Sequence, residues 1–307
     1  MKSAKSESAK LIKRYRVGAP GRFRLRSIDC DDHGGLDKDA AHAMLADDVK
    51  RLTGLQELLY AEDKWALLIV LQGMDAAGKD GVVAHVMSGV NPQGCGVHAF
   101  KRPSAEELDH NFLWRSARQL PARGRIGIFN RSYYEDVLVV RVHPHLLMQQ
   151  KIPQSLIGKS IWQERFEDIR DFERHLARNG IRVLKFFLHL SKEEQRRRFL
   201  DRLDEPAKRW KFSMDDVTER ERWDDYQAAY EDMIRATSSE IAPWYVVPAD
   251  HKWFTRLVVA SVIVETLEAL NLAFPKAGAA DLKEMRKVRE ALEAEAPRRK
   301  RDTSRKK

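Results

Sequence analysis

The sequence has few cysteines and lacks long apolar runs. Its two cysteines, Cys30 and Cys95, provide neither a disulfide framework nor the spacing of a metal site. No apolar run is long enough to cross a membrane, and the Lys- and Ser-rich first residues lack the apolar core of a signal peptide. These absences argue against a secreted, disulfide-bonded or membrane-spanning protein. We therefore expect a cytoplasmic protein with no membrane partner.

Positive charge is concentrated at the two ends of the 307-residue chain. Residues 1–26 contain nine Lys or Arg and one acid, and residues 296–307 contain seven and one. The net charge of the whole chain is only +9, so the segment between the ends is net acidic. At the N-terminus, a solvated basic tail and a tail that attracts a polyanion remain equally open. The C-terminal residues have the composition of a disordered tail.

Apolar segments of strand length alternate with longer amphipathic segments. We predict five strands, at Trp65–Leu71, Gly96–Phe100, Ile126–Phe129, Ile181–Leu190 and Trp244–Val247. We predict helices at about residues 40–62, 104–119, 160–179, 191–203, 214–238 and 253–270, two of them with capping boxes, Ser104 with Glu107 and Ser191 with Glu194. This alternation is typical of an α/β fold with a mainly parallel, doubly wound sheet flanked by helices. We divide the chain into a basic arm of little periodicity (1–35), one domain (36–275) and a basic, partly disordered tail (276–307).

The most informative stretch joins a buried strand to a glycine-rich loop. Trp65–Leu71 is apolar without interruption, which suits a strand buried on both faces of a parallel sheet. Gly73, Gly78 and Lys79 then match the spacing G-x-x-x-x-G-K of a phosphate-binding loop. Glycines let the backbone direct N–H groups at phosphate oxygens, and the N-terminus of the following helix adds partial positive charge. Because strand, loop and helix agree, we favour a phosphate loop (residues 73–81) over a chance match.

Two carboxylates stand in this loop, where bound phosphate would repel them. Asp80 occupies the position at which Ser or Thr usually follows the lysine, and Asp75 lies inside the loop. Negative side chains among phosphates are unfavourable unless a cation lies between them. We therefore predict that Mg²⁺ bridges Asp75 to the bound phosphates.

A second stretch, Ile126–Val142, places polar residues directly after another predicted strand. Its sequence is IGIFNRSYYEDVLVVRV. Ligands of such sheets bind at the carboxyl ends of the strands, so this stretch should lie beside the phosphate loop. Arg131 could bind phosphate oxygens in a bidentate manner, and Glu135 or Asp136 could hold Mg²⁺ or accept a hydroxyl proton. Alternatively, the two acids only suit a helix N-terminus.

A third group of candidate residues is basic and lies within residues 191–215. It comprises Arg196, Arg197, Arg198 and Arg202 on one predicted helix, followed by Lys208, Arg209 and Lys211. Successive helical residues are rotated by about 100°, so only some of these side chains can face a ligand. The group suits a mobile lid that brings positive charge over a transferring phosphoryl group. A solvated face paired with nearby acids is the alternative.

Two weaker basic pairs precede this group. Lys101 and Arg102 follow the second predicted strand, and Arg115 and Arg118 are one turn apart on a predicted helix. Both pairs could line an anion channel, and solvated charges are an equal alternative.

These stretches resemble the polyphosphate kinase 2 family. The resemblance is carried by GMDAAGKDG, FNRSYYEDVLVVRVH, SKEEQRRRFLDRLDEPAKRWKF, WDDYQAAYEDMI and APWYVVPADHKW. It extends from about Tyr15 to Leu270. It implies a P-loop kinase fold similar to thymidylate kinase, with a helical lid. It also implies transfer of a terminal phosphoryl group between inorganic polyphosphate and a nucleotide, with Mg²⁺ as cofactor and Mn²⁺ able to substitute.

The resemblance further implies roles for individual residues. The catalytic residues would be Asp75, Lys79, Arg131 and Asp136, with Asp75 and Asp136 as the metal ligands. The phosphate site would comprise Gly73, Ala76, Ala77, Gly78, Lys79, Asp80, Gly81, Asn130 and Arg131. The lid and polyphosphate channel would comprise Lys101, Arg115, Arg118, Arg197, Arg198, Lys208, Arg209 and Lys211. The family's loop carries an Asp at the position of Asp80, so its presence here is expected.

The sequence YYEDVLVVRV resembles the class of this family that accepts both AMP and ADP. GMP and GDP are further candidate acceptors. We expect inorganic polyphosphate and nucleoside mono- and diphosphates as partners, a homo-oligomer (dimer or tetramer) and no nucleic acid. An ATP-dependent nucleoside monophosphate kinase is the alternative enzyme, although its loop would normally end in Ser or Thr. A nucleic-acid-binding module that uses the basic tails is the alternative without catalysis.

Overall fold

One β-sheet organises the protein. The computed structural model describes residues 2–18, 21 and 23–295, with the backbone alone for residues 2–6 and Lys211. The strands of this part are β1 (Arg16–Val17), β2 (Ala66–Gln72), β3 (Cys95–Ala99), β4 (Ile126–Asn130), β5 (Ile181–His189) and β6 (Trp244–Pro248). They lie in the order β1-β6-β5-β2-β4-β3, and every pair is parallel except β1 with β6. The predicted mainly parallel sheet is confirmed: the five predicted strands are β2 to β6, and the short β1 adds a sixth that the sequence did not predict.

Helices cover both faces of this sheet. In the described residues they are α1 (Lys2–Tyr15), α2 (Lys38–Glu62), α3 (Lys79–Val86), α4 (Ala105–Leu108), α5 (Trp114–Ala117), α6 (Val139–Val142), α7 (Ile161–Arg178), α8 (Lys192–Asp204), α9 (Met214–Glu219), α10 (Trp223–Thr237), α11 (Lys252–Glu268) and α12 (Ala279–Ala294). One apolar core joins the sheet to α1, α2, α3 and α11. A second core on the opposite face joins it to α6, α7 and α10. The predicted doubly wound α/β architecture is therefore confirmed.

Strand β2 lies inside the sheet and is buried along its whole length. Leu71 of β2 is opposite Asn130 of β4, and Gln72 is opposite Phe187 of β5. The three strands thus end at one edge of the sheet, and the phosphate loop, the segment after Asn130 and α8 all begin there. This register brings together residues that are more than a hundred positions apart in the chain.

Residues 1–35, which we describe from the sequence as an arm of little periodicity, contain a helix. Helix α1 packs Leu11, Ile12 and Tyr15 into the core. The Tyr15 hydroxyl donates to an Asp32 carboxylate oxygen at 2.8 Å, and β1 then pairs with β6. The apolar residues of α1 stand among lysines and serines, so their pattern is weak until the sheet supplies a surface to cover.

Two predicted helices are each broken into two. The capping box of Ser104 and Glu107 is confirmed, but it opens only the short α4, and α5 begins anew at Trp114. Between them Asn111 accepts a hydrogen bond from the Leu113 N–H at 3.1 Å, a side-chain turn that competes with the helix. Similarly, a 3-10 turn at Arg220–Arg222 separates α9 from α10.

The second predicted capping box is formed in one direction only. The Ser191 hydroxyl accepts a hydrogen bond from the Glu194 N–H at 3.1 Å, as predicted. The Ser191 N–H instead donates to Asp250, because the Glu194 carboxylate is engaged by Arg197 and Arg198.

The chain divides into two compact units, residues 1–273 and 274–307. The second unit contains α12, whose large apolar side chains Leu282, Met285, Val288 and Leu292 recur at helical spacing. The basic residues 296–307, for which we predict disorder, lie outside the described residues. No helix of the described part is long and apolar enough to cross a membrane.

Candidate active site

A cavity of about 510 Å³ lies at the edge of the sheet where β2 and β4 end. It is lined by the phosphate loop, by the ends of β3 and β4, and by residues of α8 and of the start of α11. Of the described residues, eight Lys or Arg and three Asp line it: Lys79, Lys101, Arg102, Arg131, Arg198, Arg202, Lys208, Lys252, Asp75, Asp80 and Asp201. The excess of cations suits a ligand with several negative charges.

The phosphate loop has the backbone of an anion-binding turn. Gly73 and Gly78 have φ of +154° and +103°, and Ala76 also has a positive φ of +65°. A side chain at Gly73 would bring a Cβ within 2.9 Å of the Leu188 carbonyl oxygen, so only glycine fits there. The loop closes with a hydrogen bond from the Ala77 N–H to the Met74 carbonyl at 3.1 Å, and α3 begins at Lys79.

Lys79 is buried in the wall of the cavity. Its ammonium donates to the Gly73 carbonyl at 2.7 Å and to the Met74 carbonyl at 3.3 Å. Burial, followed by the charge of Arg131, lowers its pKa, while Asp75, Glu135 and Asp80 favour the charged form. The side chain can therefore present a point charge to an anion held by the loop.

Arg131 combines an uncommon backbone with a central position. Its φ of +64° lies in the left-handed region, which is rare for a residue with a side chain and marks a constrained site. Its N–H donates to the Leu71 carbonyl at 3.0 Å. Its guanidinium lies 2.7 Å from Asp75 and 3.5 Å from Glu135, and the charge of Glu135 raises its pKa.

The cavity offers oxygen ligands for a magnesium ion. Asp75 and Asp80 line it, and the Asn130 amide donates to Asp80 at 2.6 Å. Among residues 2–18, 21 and 23–295, no three His, Cys, Asp or Glu side chains are grouped as a metal site. Mg²⁺ commonly takes only one or two protein carboxylates and completes its shell with water and phosphate oxygens. The donor set therefore fits Mg²⁺ bound together with a phosphate ligand.

Asp136 does not line this cavity. It is buried, and its carboxylate accepts hydrogen bonds from Gln150 at 2.5 Å and from Arg165 at 3.4 Å. Burial raises its pKa to about 6. Its neighbour Glu135 instead contacts Arg131 and accepts a hydrogen bond from Gln72 at 2.8 Å. Adjacent residues of a 3-10 turn point in different directions, so the pair cannot share one partner.

The basic residues of α8 point in different directions, as the helical rotation requires. Arg198 is buried, and its guanidinium donates to backbone carbonyls of the phosphate loop. Arg197 lies on the exposed side, where it pairs with Glu194 and Asp201. Arg202, paired with Asp216, and Lys208, paired with Glu205, line the cavity.

Several predicted site residues lie elsewhere. Arg115 donates to the Lys101 carbonyl, Arg118 stacks 4.6 Å from the Trp114 ring, and Arg209 donates to the Leu203 carbonyl. These three do not line the cavity, and neither do Gly73, Ala77 and Gly81 of the loop itself. The side chain of Lys211 lies outside the described part of the chain. The structure thus leaves Arg115, Arg118, Arg197 and Arg209 outside the cavity.

Lys252 lines the cavity and was not among the residues proposed from the sequence. It is the first residue of α11 and closely follows the carboxyl end of β6. Burial, followed by the charge of Arg198, lowers its pKa. Its place after a parallel strand is the signal that could have revealed it, since ligands bind at that edge. Arg102 and Arg202, noted in the sequence as basic neighbours, line the cavity as well.

A model of the family described as Polyphosphate kinase 2 (PPK2) matches residues 35–275. The chain belongs to this family. The ADP-polyphosphate phosphotransferase of Rhodopseudomonas palustris is 56% identical over 256 residues, which cover 83% of this chain and 89% of that protein. The AMP/ADP-polyphosphate phosphotransferase of Meiothermus ruber is 49% identical over 267 residues, which cover 86% of this chain and 96% of that protein.

A solved structure agrees with this assignment to the polyphosphate kinase 2 family. The crystal structure of polyphosphate kinase 2 from Arthrobacter aurescens TC1 matches with a TM-score of 0.83 and 41% sequence identity, covering 91% of this chain and 96% of that chain. The predicted family and the predicted P-loop kinase fold are therefore confirmed.

Proposed function

We propose that this protein transfers phosphoryl groups between inorganic polyphosphate and nucleoside phosphates. The observation that carries the proposal is the cavity in which eight Lys or Arg surround a phosphate loop. A polyphosphate chain carries a negative charge on every phosphate unit, so it needs positive charge beyond the loop itself. Arg102, Arg202, Lys208 and Lys252 supply that charge. Relatives named for polyphosphate and nucleotides support the same substrates.

We propose Mg²⁺ as the cofactor, with Mn²⁺ able to substitute. Asp75 and Asp80 would hold it from the protein side, and they replace the pair Asp75 and Asp136, since Asp136 is bonded outside the cavity. When bound, the ion would neutralise charge on the transferring phosphoryl group. Glu135 forms an ion pair with Arg131 and so helps to hold the Arg131 guanidinium near the transferring phosphoryl group.

The residues of the chain act by placing charge. Lys79 and Arg131 stand where negative charge would develop on the phosphoryl oxygens, and both are held by other residues before any ligand arrives. Arg202, Lys208 and the rest of the lid (191–215) shield the transfer from water. No Cys or His of the described part lines the cavity, and we assign Asp75 and Asp80 to the metal ion, so we propose direct transfer without a covalent enzyme intermediate.

We propose that both AMP and ADP are acceptors. The stretch YYEDVLVVRV supports this, as does the relative named AMP/ADP-polyphosphate phosphotransferase. The relative at 56% identity is named for ADP alone, so the acceptor must be measured. GMP and GDP belong in the same assay.

One assay tests the proposal against an ATP-dependent nucleoside monophosphate kinase. Protein, Mg²⁺ and polyphosphate are incubated with ADP or with AMP, and ATP and ADP are quantified. Parallel reactions omit polyphosphate, or supply ATP as the donor to AMP in its place. We expect ATP from ADP, ADP from AMP, and no product with EDTA. Phosphorylation of AMP by ATP with polyphosphate inert would establish the alternative kinase. If ADP were phosphorylated and AMP were not, the assignment to the family would stand, and only the proposal that both nucleotides are acceptors would be overturned.

We also propose a homo-oligomer, a dimer or a tetramer, in the cytoplasm. Within the described part of its own unit, α12 leaves Leu282, Met285 and Leu292 uncovered, which supports a contact with another chain. The cytoplasmic location is supported by cysteines that form no disulfide framework. Light scattering tests the oligomer: a monomeric full-length chain would refute it. A chain truncated after residue 275 should keep its turnover. If α12 forms the contact between chains, this truncated chain should be smaller than the full-length oligomer by light scattering.

A further inference from the structure

Three consecutive carbonyl groups of the phosphate loop are bound by two side chains of α8. The Gln195 amide donates to the Asp75 carbonyl at 2.9 Å. The Arg198 guanidinium donates through one nitrogen to the Ala76 carbonyl at 2.9 Å and to the Ala77 carbonyl at 3.2 Å. Gln195 and Arg198 are three positions apart and therefore share one face of the helix. One face of α8 thus binds the carbonyl groups of residues 75–77 of the loop.

Both side chains are themselves held in place. Arg198 is 4% exposed, and its remaining nitrogens bind the Glu194 carboxylate at 2.7 Å and the carbonyls of Ala249 and Asp250 at 2.6 and 3.0 Å. Gln195 is buried, and Arg220 donates to its amide oxygen at 2.8 Å. That bond directs the NH₂ group of Gln195 at the loop.

The orientation of these carbonyls decides where the loop's N–H groups point. In a trans peptide the C=O and the next N–H point in opposite directions. Binding the Asp75 and Ala77 carbonyls to α8 therefore turns the N–H groups of Ala76 and Gly78 away from the helix. Ala76 and Gly78 both line the cavity and have positive φ, the alternation that forms an anion-binding nest.

We propose that Gln195 and Arg198 are positioning residues that preset the phosphate loop for its ligand. Arg198 lines the cavity, but its five N–H donors are bound by Glu194 and four carbonyl oxygens, so it acts on the ligand through the loop's backbone. The cations that meet the anion are the other lining residues, such as Arg202 and Lys208. The proposal rests on the proposed function only in that the loop binds phosphate.

Gln195 separates positioning from charge, because it is neutral. A Gln195→Met variant of similar size removes the hydrogen bond to the Asp75 carbonyl and the one accepted from Arg220. Arg198→Lys keeps the charge but cannot reproduce five hydrogen bonds from a planar group. Gln163→Met and Arg174→Lys are matched controls on the exposed side of α7, where each residue bonds a nearby acid. Arg198→Lys also serves as the second test if Gln195→Met fails to fold.

The experiment measures binding of inorganic tripolyphosphate by calorimetry, hydrogen exchange of the amides of residues 75–79, and thermal unfolding. We expect Gln195→Met and Arg198→Lys to weaken tripolyphosphate binding by about tenfold and to speed exchange in the loop by a similar factor. Both controls should match the wild type. Both variants lose buried hydrogen bonds and should melt below the wild type. Binding and exchange are therefore compared at a temperature at which every variant is fully folded, which separates positioning from general destabilisation.

Two results would overturn the proposal. Wild-type binding and exchange in Gln195→Met would show that the loop needs no support from α8. Full tripolyphosphate binding by Arg198→Lys would show that Arg198 acts by charge alone. If the wild type itself did not bind tripolyphosphate, the proposed function would fall, whereas the exchange comparison would still decide the role of Gln195 and Arg198.

Discussion

Asp75 and Arg131 form an ion pair across the cavity, with 2.7 Å between a carboxylate oxygen and a guanidinium nitrogen. One residue belongs to the phosphate loop, and the other follows β4, fifty-six positions later. The pair joins the two segments that would surround a transferring phosphoryl group. Asp75 is a proposed ligand of the metal ion, whereas Arg131 is proposed to bind phosphate. Variants at this edge of the sheet can therefore distinguish metal binding from phosphate binding.

Metal and phosphate roles predict different responses to added metal. Asp75→Asn should lower turnover on the order of a hundredfold, and raised Mg²⁺ or added Mn²⁺ should recover part of the loss. Lys79→Ala should be equally severe without recovery, because the lysine contacts phosphate directly. The measurement is turnover against metal concentration for both variants. Identical responses would show that Asp75 does not hold the metal.

Asp136 should influence stability and its pH dependence. Its pKa of about 6 lies above the unfolded value, so the native state holds an extra proton between about pH 4 and 6 and loses stability as pH rises through that range. The Asp136→Asn variant has no carboxyl group to titrate at this position, so its stability should not fall in this way. The unfolding free energy of the wild type minus that of Asp136→Asn should therefore decrease by about 3 kcal/mol from pH 4 to pH 7. Urea unfolding at several pH values measures it, with Asp171→Asn as an exposed control. Recovery of Asp136→Asn turnover by added metal would instead return this residue to the metal site.

The cationic lining predicts which basic residues bind polyphosphate. Lys252→Met should raise the KM for polyphosphate by about five- to tenfold, because it removes a charge from the cavity wall. Arg118→Met should change it by less than about twofold, since that side chain stacks on Trp114 and pairs with Glu106. Steady-state kinetics with one polyphosphate preparation measures both. If Lys252→Met and Arg118→Met raised the KM for polyphosphate equally, the result would favour the polyphosphate channel predicted from the sequence, which includes Arg118.

A buried ion pair behind the site should be important for stability. Lys185 donates to the Glu173 carboxylate at 2.6 Å, and that carboxylate also accepts hydrogen bonds from Tyr133 and Tyr134. Lys185→Met leaves a buried charge without its partner and should cost about 3–5 kcal/mol of unfolding free energy. The double variant Lys185→Met/Glu173→Gln should lose less, because the charge is removed as well.

The control for this pair is Arg174→Met, which breaks an exposed pair with Asp171 on the same helix. It should cost less than about 1 kcal/mol, because water already screens exposed charges. Chemical denaturation measures all three variants. A loss for Lys185→Met as small as that of Arg174→Met would show that the buried network is not needed.

The sequence by itself determined the sheet, the phosphate loop and the family. These features depend on local patterns: the apolar run before Gly73, the spacing of Gly73, Gly78 and Lys79, and the five strands that alternate with helices. Strand burial and loop chemistry are encoded within ten or so neighbouring residues, so they can be predicted without knowing what packs against them. The sequence also limited how many arginines of α8 could face a ligand.

Only the tertiary structure decided which side chains enter the cavity. Glu135 and Asp136 are adjacent and chemically alike, yet Arg131 engages one and Arg165 engages the other. Arg198 contacts carbonyls more than a hundred residues away, and Leu11, Ile12 and Tyr15 of α1 are buried although the sequence of this helix is rich in Lys and Ser. These outcomes depend on strand register and helix rotation, which bring distant residues into hydrogen-bonding range and which no local pattern specifies.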